Sequence, residues 1–292
     1  MFIQGYTHRF ERQVVCAAQA LGMRAVMRGE FADIRRRSLV KNAVRNVYLD
    51  WFYRHVNTFC YIGETARRHL ECRGIRDDKL FFSPYSVDTE LFEQQATSSS
   101  RLESRKKLGL NDDIFVLLFS GKLIPRKEPL LLLEAIRRLP RRDQVALIVV
   151  GDGPLREQVL AQGKMVLGDR LLAPGFVNQS GLGAYFAAAD AHVMASNHET
   201  WGLVVNEAMY FGLPSVVSDR VGCHLDLVKP QKTGLVFKSG DACDLSSQIN
   251  TLLENPQDAK AMGENASALV REYSIARARD GILMALGLGS SR

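Results

Sequence analysis

The 292-residue chain holds few cysteines: Cys16, Cys60, Cys72, Cys223 and Cys243 are scattered, odd in number, and form no Cys-x-x-Cys pair. Neither a disulfide framework nor a cysteine zinc site is indicated. His192, His198 and His224 match no standard zinc spacing. Every apolar run is broken by charge or glycine before it reaches membrane-span length. Residues 1–20 lack the basic-then-apolar order of a secretion signal, because Arg9, Glu11 and Arg12 interrupt them. Together these absences give the expectation of a cytoplasmic, reducing setting. Acidic residues are also in deficit, and the formal charge of +6 suits anionic partners without choosing among nucleotides, acidic lipids and nucleic acid. Clustered bases interleaved with exposed aromatics, as nucleic-acid binding needs, are hinted at only in residues 35–53.

What is present is an alternation. Ile114–Ser120, Gln144–Val150, Ala191–Ala195 and Pro214–Ser218 read as buried strands, with Gly234–Phe237 and part of Arg170–Phe176 as further strands. Between them, Glu128–Leu139, Leu155–Gln162, Leu182–Ala189, Val204–Phe211 and Asp244–Leu253 read as helices. Strands apolar on both faces and separated by helices predict a doubly wound parallel α/β sheet. Residues 1–93 repeat the logic more weakly, with short strands at Arg24–Met27, Thr58–Ile62 and Lys79–Tyr85. The polar, Ser-rich residues 94–104 read as a linker, 105–272 as the second domain, and 256–272 and 274–286 as closing helices.

In such sheets ligands bind beyond the carboxyl ends of the strands. Gly121, Gly151-Asp152-Gly153 and Glu199 all fall at such ends. Glu199 and Glu207 lie eight apart on a strand-to-helix stretch. Gly202, Leu203 and Val204 fall where a helix start leaves amides free for phosphate. Glu207 follows on the same element, placed to accept from sugar hydroxyls. Gly151 and Gly153 read either as turn glycines or as points of close backbone approach to a nucleotide. Gly151-Asp-Gly153 lacks the full glycine fingerprint of a nicotinamide dehydrogenase.

Glu199–Glu207 resembles the E-x7-E motif of retaining glycosyltransferases of family 4. Phe119-Ser-Gly-Lys-Leu-Ile-Pro-Arg-Lys127 resembles that family's G-R-L-x-x-x-K segment, and Val149-Val-Gly-Asp-Gly-Pro154 its V-G-x-G-P turn. Leu172-Ala-Pro-Gly-Phe-Val177 resembles the L-x-G-F-V strand, and Pro84-Tyr-Ser-Val-Asp-Thr-Glu-Leu-Phe92 the P-x-G-V-D-x-x-x-F segment. The resemblance implies the GT-B arrangement of two Rossmann-like domains, with residues 273–292 as a helix crossing back to the first. It implies retaining transfer from a nucleoside-diphosphate sugar to a hydroxyl of a glycan, a lipid-linked sugar or a small molecule, as in polysaccharide biosynthesis. No cofactor or metal is implied beyond that co-substrate. Glu199 would face the transferred sugar, and Glu207 would hold the ribose. The amides of Gly202, Leu203 and Val204, with Lys127, would meet the diphosphate. Lys122 stands where arginine is usual, keeping the charge but losing the fork. Gly121, Gly151, Gly153, Phe176, Val177, Thr200 and Trp201 complete the implied donor site.

Two departures stand out. The first domain reads as incomplete, since Phe2-Ile3-Gln4-Gly5-Tyr6 resembles the end of a middle strand. A truncated, catalytically silent nucleotide-sugar binder is therefore the alternative. On the acceptor side, Arg28-Gly29-Glu30 stands where relatives often carry a histidine, so Arg28 and Glu30, with His8, are candidate acceptor-side residues. Finally, Arg37, Lys41 and Arg45 share one flank of a helix, and Val40, Val44, Val47, Tyr48 and Trp51 another. Two readings stand for that helix: a surface lying on an anionic membrane, or one core face and one solvated face.

Overall fold

The computed structural model describes residues 1–6, 8–31 and 39–289. The chain divides into two compact units. Unit 1 runs to Ser86 and resumes at Tyr273, and unit 2 is the continuous stretch Val87–Glu272.

Unit 1 contains β1 (Phe2–Gln4), α1 (Arg9–Ala20), β2 (Val26–Gly29), α2 (Leu39–Arg54), β3 (Thr58–Tyr61), α3 (Glu64–Glu71) and β4 (Leu80–Phe82). Its strands form a parallel sheet in the order β1-β2-β3-β4, with no reversal of strand order. The helix that follows Tyr273 covers β3 and β4. Thr58 Oγ1 donates to Ala285 O at 2.9 Å, and Ser83 Oγ donates to Ala278 O at 2.9 Å. A side chain at Gly281 would begin 1.9 Å from Phe82 O, so only glycine lets this helix lie so close.

Unit 2 contains α4 (Thr89–Ser98), α5 (Arg101–Leu108), β5 (Phe115–Ser120), α6 (Pro129–Arg137), β6 (Val145–Val150), α7 (Arg156–Leu167), β7 (Leu171–Gly175) and α8 (Gly183–Ala188). It continues with β8 (Ala191–Met194), α9 (Leu203–Tyr210), β9 (Ser215–Ser218), α10 (His224–Leu227), β10 (Gly234–Phe237), α11 (Ala242–Glu254) and α12 (Pro256–Val270). The helix returning to unit 1 is α13 (Ile275–Leu286). The six strands are parallel in the order β10-β9-β8-β5-β6-β7. Both faces are packed: Leu117, Phe119, Leu147 and Val149 join one core, and Val116, Leu118, Ala146 and Ile148 the other. That is why these strands read as unbroken apolar runs. Strand order reverses between β5 and β8, which marks the crevice where such sheets take ligands.

Two expectations are corrected. Residues 94–104 are not an extended linker. They are the end of α4, a break at Ser99 and Ser100, and the start of α5, whose N-cap is the Ser100 hydroxyl accepting from Glu103 N. Serine there caps a helix rather than loosening the chain. Unit 2 correspondingly begins at Val87. Arg105, on α5, anchors the segment. Its guanidinium is fully buried, meets Asp190 at 2.5 Å, and donates to the carbonyls of Ala188, Asn111, Asp112 and Ile114. Burial pulls its pKa down, against the pull of Asp190 upward.

The second correction concerns α2. Arg35, Arg36 and Arg37 lie outside the described residues, as does the side chain of Lys41. Val40, Val44, Val47 and Trp51 do not face the core. They are 74%, 67%, 72% and 41% exposed, while Leu49 and Phe52 are fully buried. Arg45 is turned inward, donating to Tyr6 Oη at 2.9 Å.

Candidate functional site

The loops leaving β5, β6 and β7 are zipped together. Gly121 N donates to Val150 O, Leu123 N to Asp152 O, and Gly151 N to Gly175 O, all at 2.8–2.9 Å. This explains two of the glycines. A side chain at Gly151 would start 1.9 Å from Gly121 O, and one at Gly153 2.6 Å from Leu123 O. The neighbouring loop alone demands glycine at both positions. Gly121 differs: its φ is +154°, and nothing lies within 4 Å of where a Cβ would sit.

Glu199, on the loop after β8, is braced from two sides. On one, Glu199 N donates to Arg220 O, Gly222 N to Glu199 O and Cys223 N to Trp201 O. On the other, Asn197 N donates to Arg126 O, and Asn197 Nδ2 to Glu128 Oε1 at 2.8 Å. Glu128 holds a left-handed φ of 51°, which turns the chain directly after Lys127. Lys127 Nζ then meets Glu199 Oε2 at 2.5 Å, and Arg126 Nη1 meets Oε1 at 3.1 Å. Lys127 and Glu199 side chains are only 16% and 14% exposed, so the pair is well shielded from water.

Eight residues on, Glu207 sits on α9. Burial pushes its pKa up to about 7, and it has no hydrogen-bond partner among the described residues. Gly202 caps the helix with a left-handed φ of 111°. The amides of Gly202, Leu203 and Val204 make no internal hydrogen bond among the described residues. The chain thus brings to the β5/β8 switch point a half-buried carboxylate, a free helix terminus and a cation–carboxylate pair. The arrangement can neutralise an anionic diphosphate and take hydroxyl donors.

A family model described as glycosyl transferases group 1 matches residues 100–269. The chain belongs to the group 1 glycosyl transferases. It is 29% identical over 208 residues to alpha-D-kanosaminyltransferase of Streptomyces kanamyceticus, covering 68% of this chain and 53% of that protein. It is 32% identical over 204 residues to D-inositol 3-phosphate glycosyltransferase of Geodermatophilus obscurus, covering 65% and 44%. It therefore spans about half the length of these curated relatives. Among solved structures, Anabaena Alr3699/HepE in complex with UDP aligns with a TM-score of 0.79 at 22% identity, covering 98% of this chain and 78% of that one. WaaG, a glycosyltransferase involved in lipopolysaccharide biosynthesis, aligns at 0.66 and 17%, covering 97% and 85%. These likenesses show the GT-B fold.

The remaining residues of this group 1 glycosyl transferase divide plainly. Lys122 is exposed with no ion-pair partner among the described residues, and Phe176 is 74% exposed just beyond β7. Val177 packs against the core beside α8, and Thr200 lies on the braced loop. The Trp201 ring is 3% exposed, and its Nε1 donates to Asn206 Oδ1 at 2.9 Å. It therefore pins the loop to α9 instead of lining a cavity. His192 is fully buried beside Ser215 Oγ; burial, helped by Lys127, holds its pKa down at about 3, so the ring is neutral.

Within unit 1 the acceptor-side candidates are already engaged. Arg28 donates to Ser83 Oγ, Ser83 O and Pro84 O and lies over the Tyr85 ring. Glu30 accepts from Tyr85 Oη at 2.9 Å. His8 caps α1, its amide donating to Glu11 Oε2. Sequence reasoning missed Arg126, Asn197 and Gly222. In the fold Gly222 is required, since a Cβ there would start 2.0 Å from Thr200 O.

Proposed function

We propose that the chain is the donor-binding and catalytic part of a retaining glycosyltransferase of family 4. It would move a sugar from a nucleoside-diphosphate sugar to a hydroxyl of a glycan, a lipid-linked sugar or a small molecule. The observation that carries this is the Glu199–Lys127 pair at 2.5 Å beside the unpartnered Glu207 and the free α9 amides. As the bond to the diphosphate lengthens, negative charge collects on the leaving group and positive charge on the sugar. Lys127, Arg126 and the amides of Leu203 and Val204 would stabilise the former, and Glu199 the latter. Glu207 would accept from the ribose hydroxyls. This division of labour assigns no step to a metal. Neighbours solved with UDP and with UDP-glucose support a nucleotide-sugar donor. We place the enzyme in the cytoplasm, peripheral on the inner face of an anionic membrane; no described helix is long and apolar enough to cross one.

The test is thermal stabilisation of the purified chain by UDP, GDP and ADP and their sugar conjugates, followed by transfer assays. One nucleotide should raise the melting temperature in the wild type and not in Glu207→Ala. No shift with any of them, in folded protein, would refute the donor site. Stabilisation without sugar transfer would make the chain a silent nucleotide-sugar binder.

A further inference from the structure

The outer face of α2 is apolar. At 100° per residue, Val40, Val44, Val47 and Trp51 fall within an arc of about 60°, and the ridge runs for about 16 Å. Fully buried Leu49 lies roughly opposite. A helix with one buried face normally turns polar residues outward, so a contiguous apolar ridge there calls for an occupant.

The flank beside the ridge is built differently. Asn46, Asp50 and Arg54 of α2 line a pocket of about 680 Å³ with His69, Arg73 and Lys79. The Arg73 side chain is 11% exposed, pairing with Asp50 at 3.0 Å and donating to Asn46 Oδ1 at 2.6 Å. Its Nε is buried with no partner among the described residues. The one carboxylate in the pocket is therefore already paired, while Arg54 and Lys79 have no ion-pair partner among the described residues. Charge on the larger scale has the same sign. Unit 1 has 18 Lys and Arg less 9 Asp and Glu, a net +9, and unit 2 has 20 less 23, a net −3, which together give the chain's +6.

We infer that α2 is a lipid-docking element: the Val40–Trp51 ridge enters an anionic bilayer, and the Arg54–Arg73–Lys79 pocket seats a lipid phosphate. This rests on the peripheral-membrane reading above and gives it a surface. The charge argues against a second copy as the occupant, because two units of net +9 repel. Apolar insertion and cationic attraction add on a membrane, and here both lie on adjacent flanks of one helix.

The experiment uses the full chain with vesicles of phosphatidylcholine alone or with about 30% phosphatidylglycerol. Wild type is compared with Val44→Asp/Val47→Asp and with Arg54→Gln/Lys79→Gln, all at solvent-accessible positions. Co-sedimentation should show binding to the anionic vesicles, and Trp51 emission should shift to the blue. Trp201, being buried, contributes a constant background. The ridge variant should bind about tenfold more weakly, and the pocket variant should lose its preference for anionic over neutral vesicles. Absence of binding to either vesicle, with nucleotide stabilisation intact, would refute membrane docking and leave the donor site standing. Binding unchanged in the ridge variant would refute the surface assignment. A dimer without lipid, abolished by Val44→Asp/Val47→Asp, would overturn the proposal in favour of self-association.

Discussion

Replacing Glu207 by glutamine tests the donor site through protons. In the folded chain burial raises this carboxyl from 4.5 to about 7. At 1.36 kcal/mol per unit, ionising it in the folded state costs about 3 kcal/mol. A raised folded value means the native state holds the proton more tightly than the unfolded chain. The associated stability is full below 4.5, falls as pH rises, and is lost once pH passes about 7. Glu207→Gln cannot ionise and should lack that fall. Urea unfolding from about pH 4.5 to about pH 8.5 should therefore show the variant gaining up to about 3 kcal/mol on the wild type. Ribose hydroxyls bind the ionised carboxylate, with both oxygens accepting, more strongly than the protonated acid. At about pH 6 only a tenth of Glu207 is ionised, so nucleotide affinity should be roughly tenfold weaker than at about pH 8. The variant's affinity should be weak and flat with pH. Parallel stability curves for the two proteins, or a wild-type affinity indifferent to pH, would refute the reasoning.

Three further outcomes are expected. Glu199→Ala should lower sugar transfer by at least about a hundredfold while leaving nucleotide affinity within about threefold, as calorimetry alongside a transfer assay would show. Arg105→Met leaves the half-buried Asp190 to Arg101 and to Val116 N, and removes the donor from the carbonyls of Ala188, Asn111, Asp112 and Ile114; it should cost about 3 kcal/mol by urea unfolding. Gly222→Ala drives a methyl against Thr200 O, so the Glu199 loop must shift. Its melting temperature and its nucleotide affinity should both fall, whereas Gly168→Ala, with open space around it, should move only the first.

The α/β alternation was legible because both faces of the unit 2 sheet are covered, so every buried strand is an apolar run. That Gly121 and Glu199 end strands followed from the same alternation, whereas the strand order that puts the switch point between β5 and β8 did not. The Glu199–Glu207 stretch could be placed from the strand, glycine and helix around it. Contacts between distant segments left no such trace. Arg126 reaching Glu199, and Arg105 holding five oxygens, are long-range bonds made by residues that look like surface charge. Trp201 entered the expected donor site by resemblance alone, and nothing local in the sequence announced its bond to Asn206 five residues on. The outer face of α2 misled periodicity in another way. An apolar stripe at helical spacing reads the same whether it points inward or outward.

Unit 1 is assembled from two separated stretches, and this sets an order of synthesis. Unit 2 is continuous from Val87 to Glu272, so it can fold as soon as it clears the ribosome. The strands β3 and β4 are made much earlier, but the carbonyls of Ala278 and Ala285 that bond Ser83 and Thr58 arrive on α13, the last of the described elements to emerge. Until then a nascent chain carries a finished second unit and an uncovered sheet waiting behind it. A premature stop near Glu272 would leave a folded unit 2 tethered to an aggregation-prone first unit.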